Sequence, residues 1–203
     1  MQEEELRGLA NFLFEAGTMR KLLRMHRQTL LTDDLSDNIA SHSYRVALIA
    51  WILAKMENAD ANKAAIMALL HDLKEARSGD HNWVHKKYVK IFEDEISKDQ
   101  LSQVPYDELK DTVAEYEKRE SIESLVVKDA DLLDEVLLLR EYAWQGNHEA
   151  EKWLQEKRGA DNPTGENMQI KMLKTESAKS LGKKILETGP SDWWEDVWTP
   201  KNR

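Results

Sequence analysis

Apolar residues return every three or four positions over long stretches that hold neither glycine nor proline, and packed α-helices are the way such a chain buries them. Only 8 Gly and 4 Pro interrupt the 203 residues, and the stretches between them carry helical rather than alternating spacing. The expected fold class is all-α. Helices are predicted over residues 4–23, 38–57, 60–76, 83–101, 106–119, 122–144, 148–157 and 168–187, with a short tail helix over 192–198. Asp60 suits the N-cap of the Ala-rich third helix, because its carboxylate can accept the free N–H groups of the first turn. Residues 160–165, Ala-Asp-Asn-Pro-Thr-Gly, form the clearest loop. The chain is therefore divided into a main domain over 1–158 and a helical C-terminal extension over 159–203 packed on it.

Several function classes drop out on composition. There is no Cys, so thiolate metal sites, disulfides and cysteine nucleophiles are excluded and His, Asp and Glu remain as metal ligands. The formal net charge of −9 argues against coating duplex nucleic acid, which needs a basic face. The longest apolar run, 46–54, is nine residues; a membrane-spanning helix needs roughly 18. The acidic start Met1-Gln2-Glu3-Glu4-Glu5 lacks the basic region of a secretory signal. A soluble, cytoplasmic protein with no membrane partner is expected.

Polar residues then appear where a helix should be apolar. The second helix sets Ile39, Val46, Ile49, Ala50 and Leu53 on one stripe, and His42 lies on it. On the third, Ala64, Met67 and Ala68 lead to His71, and Ala65, Ala68 and Leu69 lead to Asp72. In the helix from Ile122, Asp131 falls between Val127 and Leu138, opposite the stripe of Ile122, Val126, Leu133 and Val136. Singly, a lone inward His is more often a hydrogen-bonded core residue than a ligand, and a lone Asp near a helix end usually caps something. Together, three helices aim oxygen and nitrogen donors inward, and a metal ion would satisfy all four, since a buried carboxylate with no cation or donor neutralises itself.

The order His42, His71-Asp72, Asp131 resembles the HD superfamily of metal-dependent phosphohydrolases. The words around it, 41–47 (Ser-His-Ser-Tyr-Arg-Val-Ala), 71–80 (His-Asp-Leu-Lys-Glu-Ala-Arg-Ser-Gly-Asp) and 127–131 (Val-Lys-Asp-Ala-Asp), are similar to the compact branch that includes bacterial 5′-deoxynucleotidases. The resemblance implies an all-α bundle, His42, His71, Asp72 and Asp131 as ligands of one divalent ion, Glu75 and Asp80 beside the catalytic water and substrate phosphate, and Arg27 as the arginine that holds the phosphate. It implies a nucleotide-like substrate and a homodimer. One position departs: the residue after that arginine is Gln28 where these nucleotidases carry an aromatic group near the sugar.

Two imidazoles and two carboxylates suit Mn, Co, Fe, Zn or Mg rather than copper. Glu75 lies four residues after His71, so a continuing helix would put it on the same face, able to orient or deprotonate a water. Gly79 would let the chain bend and return Asp80 to the cleft. The basic residues around Arg27, within 21–27, read equally as a solvated cluster. His81 and His85 are spaced to clasp a second ion if Trp83 begins a helix, and Trp193, Trp194 and Trp198 read as a tail anchor or dimer contact. The leading expectation is removal of phosphate from (deoxy)nucleoside 5′-monophosphates. The alternatives are a nucleoside triphosphate or another small phosphate ester as substrate, or a catalytically silent module that binds a protein partner.

Overall fold

The structure, a computed structural model, describes residues 1–155, 167–195 and 197. These form an all-helical assembly in chain order: α1 (Glu3–Ala16) running into a 3₁₀ segment (Gly17–Lys21), α2 (His26–Leu30), α3 (Ile39–Met56), α4 (Ala61–Leu70), α5 (Glu75–Ser78), α6 (Trp83–Lys86), α7 (Glu93–Leu101), α8 (Asp107–Lys118), α9 (Ile122–Trp144), α10 (His148–Leu154), α11 (Met168–Met172), α12 (Glu176–Glu187) and α13 (Asp192–Glu195). Side-chain caps start the elements that matter most. Asn38 closes a capping box with Ser41, Asp60 accepts from the backbone of Asn62 and Lys63, and Ser121 accepts from Ser124.

The core lies where α3, α4 and α9 meet. Val46, Ala50, Leu53, Ala64, Met67, Ala68, Val126, Val127, Ala130 and Leu133 are all buried there, and the small residues let the three axes approach closely. On the far side of α9, α11 and α12 pack against it. Gly182 of α12 is the point of closest approach, since a Cβ there would stand 2.6 Å from Ile170 and 3.0 Å from Leu133.

Several predicted helices break. The one expected over 83–101 divides into α6 and α7, with a turn at Lys87 and Tyr88, closed by the Tyr88 and Val89 N–H groups on the His85 carbonyl, and a non-helical stretch through Phe92 between them. The one expected over 168–187 divides at Leu173, Lys174 and Thr175. There the buried carboxylate of Asp129 accepts from the backbone N–H groups of Lys174 and Thr175 and from the Thr175 hydroxyl. Thr175 then caps α12. The helix expected over 60–76 stops at Leu70, and α2 lies in a stretch where no helix was expected. The 160–165 loop, the 158/159 boundary and Trp198 lie outside the described residues. Trp193 and Trp194 stack edge to face and are exposed.

Candidate metal centre

Three helices bring four side chains to one place. His42 sits in the first turn of α3, His71 is the C-cap of α4, Asp72 follows in the turn, and Asp131 stands in the middle of α9. His42 Nε2 lies 3.3 Å from His71 Nε2, 3.4 Å from Asp72 Oδ2 and 3.4 Å from Asp131 Oδ1. His71 Nε2 lies 3.1 Å from Asp72 and 4.0 Å from Asp131. Two ligands bound at about 2.1 Å, at right or tetrahedral angles, stand about 3.0–3.4 Å apart; His42, His71 and Asp72 are spaced in this way, and Asp131 approaches the group through His42 while standing 4.0 Å from His71.

The donor chemistry makes the same point. His71 Nδ1 donates to the Ala68 carbonyl at 2.7 Å, and a carbonyl can only accept, so the neutral ring bears its lone pair on Nε2. His42 Nδ1 is paired with Asp134 at 2.6 Å, which turns its Nε2 toward the same point. The buried Nε2 atoms of His42 and His71 thus converge with the half-buried carboxylates of Asp72 and Asp131, a donor set that a cation would satisfy. The Asp131 carboxylate is divided: Oδ1 faces the cluster and Oδ2 accepts from Lys128 at 2.7 Å.

In the metal-stripped protein a proton does part of the cation's work. Burial and Arg24 push the His42 pKa down, yet its contacts with Asp131, Asp134 and Asp72 prevail and hold it well above 6.5. Burial pushes Asp72 and Asp131 up, and contacts with the two histidines, aided at Asp131 by Lys128, hold both well below the usual carboxylate range. A metal ion must displace the His42 proton. Titration with Mn in two buffers of different ionisation enthalpy is therefore expected to show release of about one proton near neutral pH, and affinity falling as the pH falls from about 8 to about 6. Binding that releases no proton and keeps one affinity across that range would contradict it.

The other expected residues are placed as follows. The chain does not continue as helix through Glu75, which begins α5 after a tight turn in which its N–H bonds the Asp72 carbonyl at 2.9 Å. Its Oε2 is buried and makes no hydrogen bond among the described residues. Burial, reinforced by Asp72 and Asp80, pushes its carboxyl up to about 9. Gly79 takes φ +76°, the left-handed backbone that glycine admits freely, and the chain turns so that Asp80 meets the α2 segment. Asp80 accepts the Met25 N–H and lies 3.9 Å from Arg24 Nε. Arg27 is not at the cluster: it lines an open cleft of roughly 820 Å³ with Lys21, Gln28, Gly79 and Asp80, and its guanidinium lies 3.9 Å from Asp33. Gln28 accepts from Asn82 at 3.0 Å, so it belongs to the cleft wall. His81 and His85 stack with ring centroids 5.5 Å apart, and no further ligand joins them at metal spacing among the described residues.

Two residues escaped the sequence reading. Asp134 orients His42 and is itself held by Arg45, which also grips Glu141 at 2.6 Å. The signal was available, since Asp134 lies three residues after Asp131 and an inward imidazole needs a partner on its second nitrogen. Arg24 is the other, buried beside the cluster in a segment with no periodicity to reveal it.

The comparisons place the fold among known families. An HD-domain family profile matches residues 19–171. A 5′-deoxynucleotidase of Citrobacter koseri is 29% identical over 149 residues, covering 64% of this chain and 73% of that one. One from Dictyostelium discoideum is 30% identical over 126 residues, covering 55% and 66%. A solved structure from Archaeoglobus fulgidus is similar with a TM-score of 0.62 and 26% identity, covering 93% of this chain and 99% of that one.

Proposed function

The chain belongs to the HD-domain family and is a phosphohydrolase, and from that premise we propose that it releases phosphate from nucleoside 5′-monophosphates of either sugar. The observation that carries the proposal is the convergence of His42, His71, Asp72 and Asp131 with the unpartnered, proton-holding carboxyl of Glu75 beside them. The names of the relatives support the substrate class. Gln28 in the cleft wall gives no ground for favouring deoxyribose.

In this reading His42, His71, Asp72 and Asp131 hold one divalent ion, Mn or Co being the first to test. When bound, the ion neutralises charge on the phosphoryl oxygens and acidifies water at the site. Asp134 holds the His42 ring in the tautomer that faces inward. Glu75 takes the proton of the attacking water. Burial leaves that carboxyl protonated, and nearby positive charge, which opposes the effect of burial, frees it to take the proton. Asp80, anchored through one oxygen to the Met25 N–H, passes a proton from its other oxygen to the departing sugar oxygen, which leaves as a hydroxyl. Arg27 meets the incoming dianion at the cleft mouth.

Steady-state assays over mono-, di- and triphosphates with added Mn or Co test the substrate. Orthophosphate from monophosphates is the expected product, and tripolyphosphate from triphosphates would overturn the assignment.

The segment from 159 on is read as an extension of the same domain. Asp129 supports this, since it ties the start of α12 to α9. Assembly is read from α3, whose outer face carries Tyr44, Leu48, Trp51, Ile52 and Met56, all exposed, in one helical stripe. A second copy of the chain is assigned to that face. Trp51→Glu is expected to convert a dimer into a monomer in light scattering, and a wild-type monomer would refute the assignment. No helix among the described residues is long and apolar enough to cross a membrane.

A further inference from the structure

The His71 ring is held from two directions, and only one of them is a hydrogen bond. Its Nδ1 donates to the Ala68 carbonyl at 2.7 Å. One such bond tolerates a broad range of ring tilt, and every tilt re-aims the lone pair on Nε2. The second direction is Tyr116 of α8, whose ring meets the imidazole edge to face, with centroids 5.8 Å apart and an interplanar angle of 80°. Tyr116 is only 4% exposed and belongs to the α3, α4 and α9 core, so its ring cannot shift without displacing its neighbours. The tilt of His71 is thereby referred to the core.

Arg119 secures the tyrosine in turn. Its guanidinium carbon lies 3.2 Å from the centroid of the Tyr116 ring, a cation against the negative face of the π-system. Two features make this contact costly. Arg119 is the C-cap of α8 and takes φ 56° and ψ 33°, the left-handed backbone that a helix end ordinarily leaves to glycine. Its Nη1 is buried and makes no hydrogen bond among the described residues. A glycine would end the helix with neither cost, so the stack on Tyr116 is what the strained arginine secures. The chain from α8 to the cluster is therefore continuous: Arg119 on Tyr116, Tyr116 on His71, and His71 Nε2 among His42, Asp72 and Asp131.

We propose that Tyr116 is a positioning residue for the metal ligand His71, and that Arg119 acts through Tyr116 as its clamp. The packing holds the imidazole at the tilt that aims Nε2 at the ion, where the bond to Ala68 alone would let it swing. The proposal rests on the reading that His71 ligates a divalent ion. Co is the probe, titrated calorimetrically into the full-length, metal-stripped protein, with the visible absorption of the Co-loaded protein read alongside as a signature of ligand geometry. Tyr116→Leu removes the ring and keeps an apolar side chain. It is expected to weaken Co binding by about 10- to 100-fold, the range for losing a group that orients a ligand, and to shift the Co absorption bands. Tyr116→Phe keeps the ring and should keep both the wild-type affinity and the wild-type bands. Arg119→Gly is expected to weaken Co binding by about three- to tenfold, the loss of one cation–π contact, and decides the matter should Tyr116→Leu fail to fold. Wild-type affinity and bands in folded Tyr116→Leu, an equal loss in Tyr116→Phe, or wild-type affinity in Arg119→Gly would overturn the proposal. A wild-type protein that takes up no Co would sink the metal reading and the proposal with it. None of these readouts depends on turnover, so a wrong substrate assignment would leave Tyr116 and Arg119 in their roles.

Discussion

Glu75→Gln is expected to lower kcat by about 10²- to 10⁴-fold, the range for losing a positioned general base, while metal content stays at the wild-type level. Gln matches the shape of the protonated carboxyl that burial favours, so the site should keep its packing. Stability gives a second readout. Glu75 is raised from 4.5 to about 9, so the folded state holds its proton more tightly than the unfolded chain does. Its contribution is fully present below pH 4.5 and is lost as the pH climbs through about 9. Metal-stripped wild type should therefore lose thermal stability across that window, and Glu75→Gln should lose less. A variant with turnover within roughly threefold of wild type would remove Glu75 from the chemistry.

Asp131→Asn is expected to be as damaging by another route. The amide keeps the shape but presents no charge to the ion, and metal affinity should fall by at least about 100-fold, with activity falling in step. His42 loses one of the three carboxylates that hold its proton, so the proton released on metal binding should diminish too. Because Asp131 lies at the opening of the cluster rather than in the apolar core, the fold should survive, and unchanged far-ultraviolet dichroism would show that it had. Retention of wild-type metal affinity would exclude Asp131 as a ligand.

These residues were legible in the sequence because they interrupt a strong period. His42 shares the face of Val46 and Ile49, and Asp131 lies among Val127, Ala130 and Leu138, so helical geometry alone turns them inward. What remained hidden was set by contacts distant in sequence. The break between α11 and α12 exists because Asp129, more than forty residues earlier, offers a buried carboxylate to Lys174 and Thr175. Arg24 could not be told from Lys21 or Arg27 by composition, since the bridge to Asn38 decides which of them enters the interior. Glu75 was expected beside the cluster on a continuing helix, and it begins a new one after a turn instead.

The central claim is that one divalent ion is held by four side chains from three helices. A crystal soaked in Mn and measured for anomalous scattering tests it directly. The expected result is a single strong peak about 2.0–2.3 Å from His42 Nε2, His71 Nε2, Asp72 Oδ2 and Asp131 Oδ1. No peak there, or Mn held by other residues while these four stay as they are, would contradict it.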